Sequence, residues 1–174
     1  GCNNWLISEL GIFYAGAINV PITVKMNEPH DLIFRINHSG SKIIITSINQ
    51  WKKIEKIIPE LPKLEKIIIF EKQDNKDFPC YSFNEVIEFG KTLLSNNPER
   101  IEQRRKMPKP EDYATICYTS GTTADPKGVI LTHSNYDVNT SQALGLIDVP
   151  SYYTTLLILP WDHCFAHVAG IYTL

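Results

Sequence analysis

Residues 118–129 read Tyr118-Thr119-Ser120-Gly121-Thr122-Thr123-Ala124-Asp125-Pro126-Lys127-Gly128-Val129, a run of small hydroxyl residues, glycines and one lysine set directly after an apolar, strand-like segment. That makeup suits a loop that holds phosphate. Gly121 and Gly128 let the backbone turn where a side chain would obstruct it, so amide N–H groups can come close to phosphate oxygens. Thr119, Ser120, Thr122 and Thr123 supply hydroxyls that can donate to phosphate or, as neutral oxygens, face a hard cation such as Mg²⁺. Lys127 brings a mobile positive charge, and Pro126 before it removes a donor and stiffens the approach.

Two familiar phosphate loops do not account for the run. A Walker loop ends in Gly-Lys-Ser/Thr, whereas here Lys127 follows a proline and precedes Gly128. The dinucleotide pattern G-x-G-x-x-G is absent around Gly121 and Gly128. A plain Ser/Thr/Gly-rich turn between strand and helix would explain a few of these residues, but not the whole string.

The string resembles the signature of the adenylate-forming (AMP-binding) enzymes, which include acyl-CoA synthetases, luciferases and the adenylation domains of peptide synthetases. Their loop reads approximately [YF]-T-S-G-[ST]-T-G-x-P-K-G-V, and this sequence departs from it only at Ala124, where the family usually has glycine. If that position needs a left-handed backbone, alanine costs about 1–2 kcal/mol more than glycine. Downstream, Leu159-Pro160-Trp161-Asp162-His163-Cys164-Phe165 resembles the family's next motif, in which Leu-Pro, two variable residues and His precede a helix beside the acyl pocket. The Leu-Pro-Trp-x-His form is most similar to that of long-chain fatty acid–CoA ligases. Residues 5–21 and 37–42 also resemble the early region of acyl-CoA synthetases.

The resemblance implies a fold and a chemistry. The fold is α/β, with alternating helices and strands forming part of the layered large N-terminal domain of an adenylate-forming enzyme. The chemistry is activation of a carboxylic acid, here a fatty acid, by ATP to an acyl-adenylate, followed by transfer to coenzyme A. On this pattern Thr119, Ser120, Gly121, Thr122, Thr123 and Lys127 hold phosphates, Lys127 is also the catalytic cation, and Thr119 offers its hydroxyl to Mg²⁺. Trp161 and His163 line the acid pocket. The family's later Tyr-Gly-x-Thr-Glu segment, ribose-binding aspartate and C-terminal domain are not found, so residues 1–174 are expected to be part of an N-terminal domain, truncated at both ends and inactive alone. A noncatalytic nucleotide-binding module, or an adenylation domain loading a carrier protein, stays open.

Bulk properties agree with a soluble α/β protein. The 174 residues are 43% apolar and 21% charged, and no apolar run approaches the length of a membrane span. Peripheral membrane contact is not excluded by this. A net charge of −2 gives no reason to expect nucleic acid, and the cationic stretch from Arg100 to Lys109 is interrupted by Glu99, Glu102 and prolines, as in a solvated loop. Cys2, Cys80, Cys117 and Cys164 are widely spaced and follow no signal sequence, which fits free thiols and a cytoplasmic location. Cys117 is expected to be core packing. Asp162 and His163 beside Ser120 do not make a hydrolase triad, because Ser120 lacks the G-x-S-x-G elbow.

Periodicity organises the remainder. Leu6, Leu10, Phe13 and Ala17 mark one helix face before an extended run over 19–23. A second helix opens at Pro29 and ends at Ser39-Gly40, followed by a strand over 42–46. A third carries Trp51, Ile54, Ile57 and Ile58, stops near Pro59 or Pro62, and leads into a strand over 66–70. Residues 71–110 are polar and proline-bearing and read as a surface excursion, with Ser82 and Glu85 as a capping box for a helix to about Leu94. Strands are expected over 113–118, 129–131 and 154–159, with a helix opened by Ser134 and another beginning within 165–174.

Overall fold

Proline pre-sets a helical φ and glycine accepts a left-handed one, and those two residues bracket the second helix of the chain as the spacing predicts. The structure, a computed structural model, describes residues 2–72, 78–119 and 125–146, together with 150, 152, 154, 156, 160, 161, 163 and 167–173. In chain order the elements are α1 (Asn3–Tyr14), α2 (Pro29–Ser39), β1 (Ile43–Thr46), α3 (Ile48–Ile57), β2 (Lys66–Ile69) and β3 (Cys80–Ser82). There follow α4 (Phe83–Asn96), α5 (Arg100–Arg105), β4 (Tyr113–Tyr118), β5 (Gly128–Thr132) and α6 (His133–Leu146), and last a π-helical segment, Val168–Tyr172. These fall into two compact units, Val24–Arg105 and a discontinuous one made of Gly1–Thr23 with Lys106–Leu174.

The unit Val24–Arg105 is a parallel sheet in the order β1-β2-β3, with Ile44 opposite Ile67 and Ile68 opposite Tyr81. Parallel strands need crossover connections, and α3 supplies the one between β1 and β2. Its buried residues Trp51, Ile54 and Ile57 recur every third position, giving it one core face. Gly40 ends α2 with φ +67°, and Ser41 N–H donates back to the Ile36 carbonyl. At α4 the capping box forms: Glu85 N–H donates to Ser82 Oγ at 3.3 Å, and Ser82 N–H donates to Glu85 Oε2 at 2.7 Å. The polar stretch 71–110 is more than an excursion, because β3 within it completes the sheet. Three residues behind Pro79 are too few for an alternating pattern to show in sequence.

The second unit is built on β4, which pairs antiparallel with β5 from Tyr118 opposite Gly128 to Tyr113 opposite Thr132. On its other side Asn19 alone bridges to Thr115, so the run 19–23 makes a single parallel bridge instead of a strand. Helix α1 also differs from its expected face. It ends at Tyr14, leaving Ala17 outside, Leu10 is exposed, and the one residue it buries is Glu9. Thr132 rather than Ser134 opens α6, accepting from Asn135 N–H at 3.2 Å while its own N–H donates to Asn135 Oδ1 at 2.9 Å. Cys117 is half-buried. Of the strand expected over 154–159, Thr154 and Leu156 are described and neither is in a strand.

Within the first of these units the core runs through β2, where Ile67 and Ile69 are 0% and 1% exposed while Ile43 on the edge strand is 50% exposed. Ile67→Ala is therefore expected to lower unfolding stability by about 2–5 kcal/mol. The same truncation at Ile43 should cost less than about 1 kcal/mol. Urea unfolding followed by circular dichroism measures both.

Candidate functional site

The expected phosphate loop joins two antiparallel strands. β4 delivers Tyr118 and Thr119, β5 begins at Gly128, and Thr119 N–H donates to the Lys127 carbonyl at 3.0 Å, one step beyond the Tyr118–Gly128 pair. This closes the neck of the loop and places Thr119 and Lys127 side by side on neighbouring chain segments. Both residues are exposed, as a ligand-facing hydroxyl and cation need to be. Ser120, Gly121, Thr122, Thr123 and Ala124 lie outside the described residues.

The neck explains one glycine of the motif. A Cβ on Gly128 would sit 2.9 Å from Ile116 Cγ2 and 3.4 Å from Tyr118 Cε1. Ile116 is β-branched, so its methyl cannot swing aside cheaply. Gly128 is thus required by close packing across the strand pair; its φ is not in the left-handed region.

The expected pocket segment is held from behind by a buried polar group. His163 is exposed; its N–H donates to the Pro160 carbonyl at 3.1 Å, and its carbonyl accepts from His167 N–H at 3.4 Å. Trp161 is half-buried, its ring edge-on to Trp5 with centroids 5.8 Å apart. His167 is fully buried and donates from Nε2 to the Trp161 carbonyl, an atom that can only accept. The same Nε2 lies 3.6 Å from Glu9 Oε1, which in turn accepts from Asn19 Nδ2 at 2.8 Å. On the other side Nδ1 lies 3.4 Å from the Tyr136 hydroxyl, and that hydroxyl donates to Thr115 Oγ1 at 3.1 Å.

None of Glu9, Asn19, Thr115, Tyr136 or Tyr172 is singled out by motif, yet one signal was present. Glu9 stands three residues after Leu6 and four before Phe13, so a carboxyl group shares the apolar stripe of α1. A carboxyl placed there has to find polar company or stay neutral. Burial pushes the Glu9 carboxyl up from its ordinary 4.5 to about 7, only partly offset by Tyr172 and Asn19. Tyr172 is pushed up as well, by burial first and then by the nearby Glu9 charge. Glu9 Oε2 and the Tyr172 hydroxyl are both buried and fall short of hydrogen-bond geometry with each other or any other described residue.

Among the described residues no cluster of three His, Cys, Asp or Glu side chains could hold a metal, and no helix is long and apolar enough to cross a membrane. What the described neck does present is an exposed lysine beside an exposed hydroxyl, a cation and a hydrogen-bond donor of the kind that suits phosphate. The family model described as AMP-binding enzyme matches residues 2–174. A peroxisomal long chain acyl-CoA synthetase 6 of Arabidopsis thaliana is 28% identical over 97% of this chain and 24% of its own length. The long-chain-fatty-acid–CoA ligase 5 of Mus musculus is 32% identical over 96% of this chain and 26% of its own. Among solved structures, a red-emitting luciferase from Phrixothrix hirtus shares the fold with a TM-score of 0.73 at 21% identity, covering 99% of this chain and 32% of that one. The chain spans about a quarter of the length of the curated relatives it matches.

Two outcomes follow from the geometry. Gly128→Val should lower unfolding stability by about 1–3 kcal/mol by forcing β4 and β5 apart, which thermal denaturation checks. For Glu9, the folded chain keeps its proton up to about pH 7 while the unfolded chain releases it near 4.5, so folding is favoured most below 4.5 and weakens as pH rises to 7. Glu9→Gln removes that term. Its stability advantage over the natural chain should grow from near zero below pH 4.5 to about 3 kcal/mol above pH 7 in paired urea titrations.

Proposed function

The chain belongs to the AMP-binding enzyme family, and from that premise we propose that the complete protein activates a fatty acid with ATP and transfers the acyl group to coenzyme A. One observation carries the reading: the hairpin neck that sets exposed Thr119 beside exposed Lys127 inside a string carrying the family's loop pattern. The similarity to long-chain acyl-CoA ligases over nearly the whole chain supports the choice of acid.

In the first step a carboxylate oxygen of the acid attacks the α-phosphorus of ATP, and the bond to the bridging oxygen breaks so that pyrophosphate leaves with the electron pair. Both reacting groups belong to substrates, which leaves the protein to position them and to stabilise charge. Lys127 is assigned to the β and γ phosphates, where its cation offsets the charge that accumulates on the departing pyrophosphate. Thr119, Ser120, Gly121, Thr122 and Thr123 are assigned to hold the same phosphates through hydroxyl and amide donors. Thr119 is a hard, neutral, exposed oxygen and suits Mg²⁺, an ion that commonly takes only one or two protein ligands and completes its shell with phosphate and water. Mg²⁺ held there would add further neutralisation of phosphate charge. In the second step the coenzyme A sulfur attacks the acyl carbon and AMP leaves. Trp161 and His163 are assigned to the wall of the acid pocket.

Lys127→Ala in the complete protein should lower acid-dependent ATP–pyrophosphate exchange by about 100-fold or more. The circular dichroism spectrum should not change, since among the described residues Lys127 joins the neck through its main chain. Exchange at the natural rate in this variant would remove the role assigned to Lys127.

A further inference from the structure

His167 is surrounded by three segments whose arrangement matters to the proposed reaction. Nε2 donates to the Trp161 carbonyl, in the segment assigned to the acid pocket. Nδ1 faces the Tyr136 hydroxyl of α6, which donates to Thr115 on β4, the strand that runs on into the phosphate-loop neck at Thr119. Trp5 of α1 lies against the imidazole with ring centroids 5.4 Å apart, and Glu9 of the same helix stands beside Nε2.

An apolar side chain of similar volume would fill this position without the desolvation cost of a buried imidazole. What it would not supply is direction. Nε2 donates along a fixed direction to the Trp161 carbonyl while the Nδ1 edge of the same rigid ring sits 3.4 Å from the Tyr136 oxygen, so the imidazole sets a distance and an orientation between that carbonyl and the Tyr136–Thr115 pair. Packing alone tolerates sliding by a fraction of an ångström; a directed hydrogen bond from a ring seated on its far edge does not.

We propose that His167 is a positioning residue, fixing the pocket segment at Trp161 and His163 relative to the strand that carries the phosphate loop. It touches neither substrate. It acts by holding the acid in line with the phosphate to be attacked, and in that respect it rests on the proposed acid-activating function.

Three substitutions in the complete protein separate positioning from filling. His167→Phe fills the space without hydrogen bonds, His167→Gln keeps a donor where Nε2 stood, and His167→Ala removes both. Phe should retain most of the melting temperature yet lose about 100-fold in kcat for acid-dependent exchange, with the KM for ATP within about twofold of natural. Gln should recover at least about tenfold of that loss. Turnover restored by Phe, or no recovery with Gln, would overturn the proposal. If Ala fails to fold, the Phe–Gln comparison still decides.

A readout independent of activity keeps this separate from the function itself. Trp5 and Trp161 both lie at the imidazole, and their emission in the complete protein is isolated as the difference between each His167 form and the same form carrying Trp5→Phe and Trp161→Phe. The Phe variant should show a red-shifted emission and greater acrylamide quenching than the natural chain, and the Gln variant should not. Absence of acid-dependent exchange in the natural protein would overturn the proposed function, whereas unchanged emission in the Phe variant would overturn the anchor.

Discussion

Thr115 is completely buried in the middle of β4, and the discontinuous unit is organised by what meets there. Asn19 takes its one backbone bridge to this strand, donating to the Ala114 carbonyl at 2.8 Å and accepting from Ile116 N–H at 2.9 Å. Leu131 pairs with Thr115 across the hairpin, and the Tyr136 hydroxyl donates to its side chain. A buried backbone must have its polar groups satisfied, so β4 recruits partners on both edges. The segment after α1, the strand β5 and the helix α6 are thereby tied to one strand, and the loop neck is its continuation.

That arrangement differs from the phosphate loops excluded by sequence. In Walker and dinucleotide loops the amides at a helix N-terminus face the phosphate, and the helix dipole contributes. Here the loop returns into β5, so α6 begins only after a strand has intervened. Under the proposed function, the charge offered to phosphate at the described neck would come from the Lys127 side chain. The residue types in the string make sense on that footing: a lysine for charge, hydroxyls for hydrogen bonding, and at Gly128 a bare backbone because Ile116 already occupies the space.

Much of this was legible in the chain. The capping box at Ser82 and Glu85, the Pro29 start and Gly40 stop of α2, and the spacing of Trp51, Ile54 and Ile57 are local signals, each decided within a few residues, and each appears in the structure. What was not legible depends on pairing between distant segments. β3 is three residues long and exists because β2 lies beside it; Asn19 makes a bridge, not a strand, because only one of its neighbours' worth of backbone meets β4. The apolar face expected on α1 failed for a related reason, since Glu9 is buried by groups contributed from residues 19, 167 and 172. At the candidate site, the motif drew attention to Thr119 and Lys127, which the structure sets side by side at the neck, but not to His167. The contacts of His167 with Trp161 and Tyr136 join distant segments, and no sequence spacing encodes those.

The neck bond between Thr119 and Lys127 is made by main-chain atoms alone. Among the described residues, then, that bond does not depend on the side chain at position 127, in contrast to Gly128, where a side chain would meet Ile116 and Tyr118. Such a division shapes how a lineage can drift. If Lys127 has the role proposed for it, a single base change that strips its charge would silence the protein without unfolding it, while the glycine next to it would remain under constraint either way.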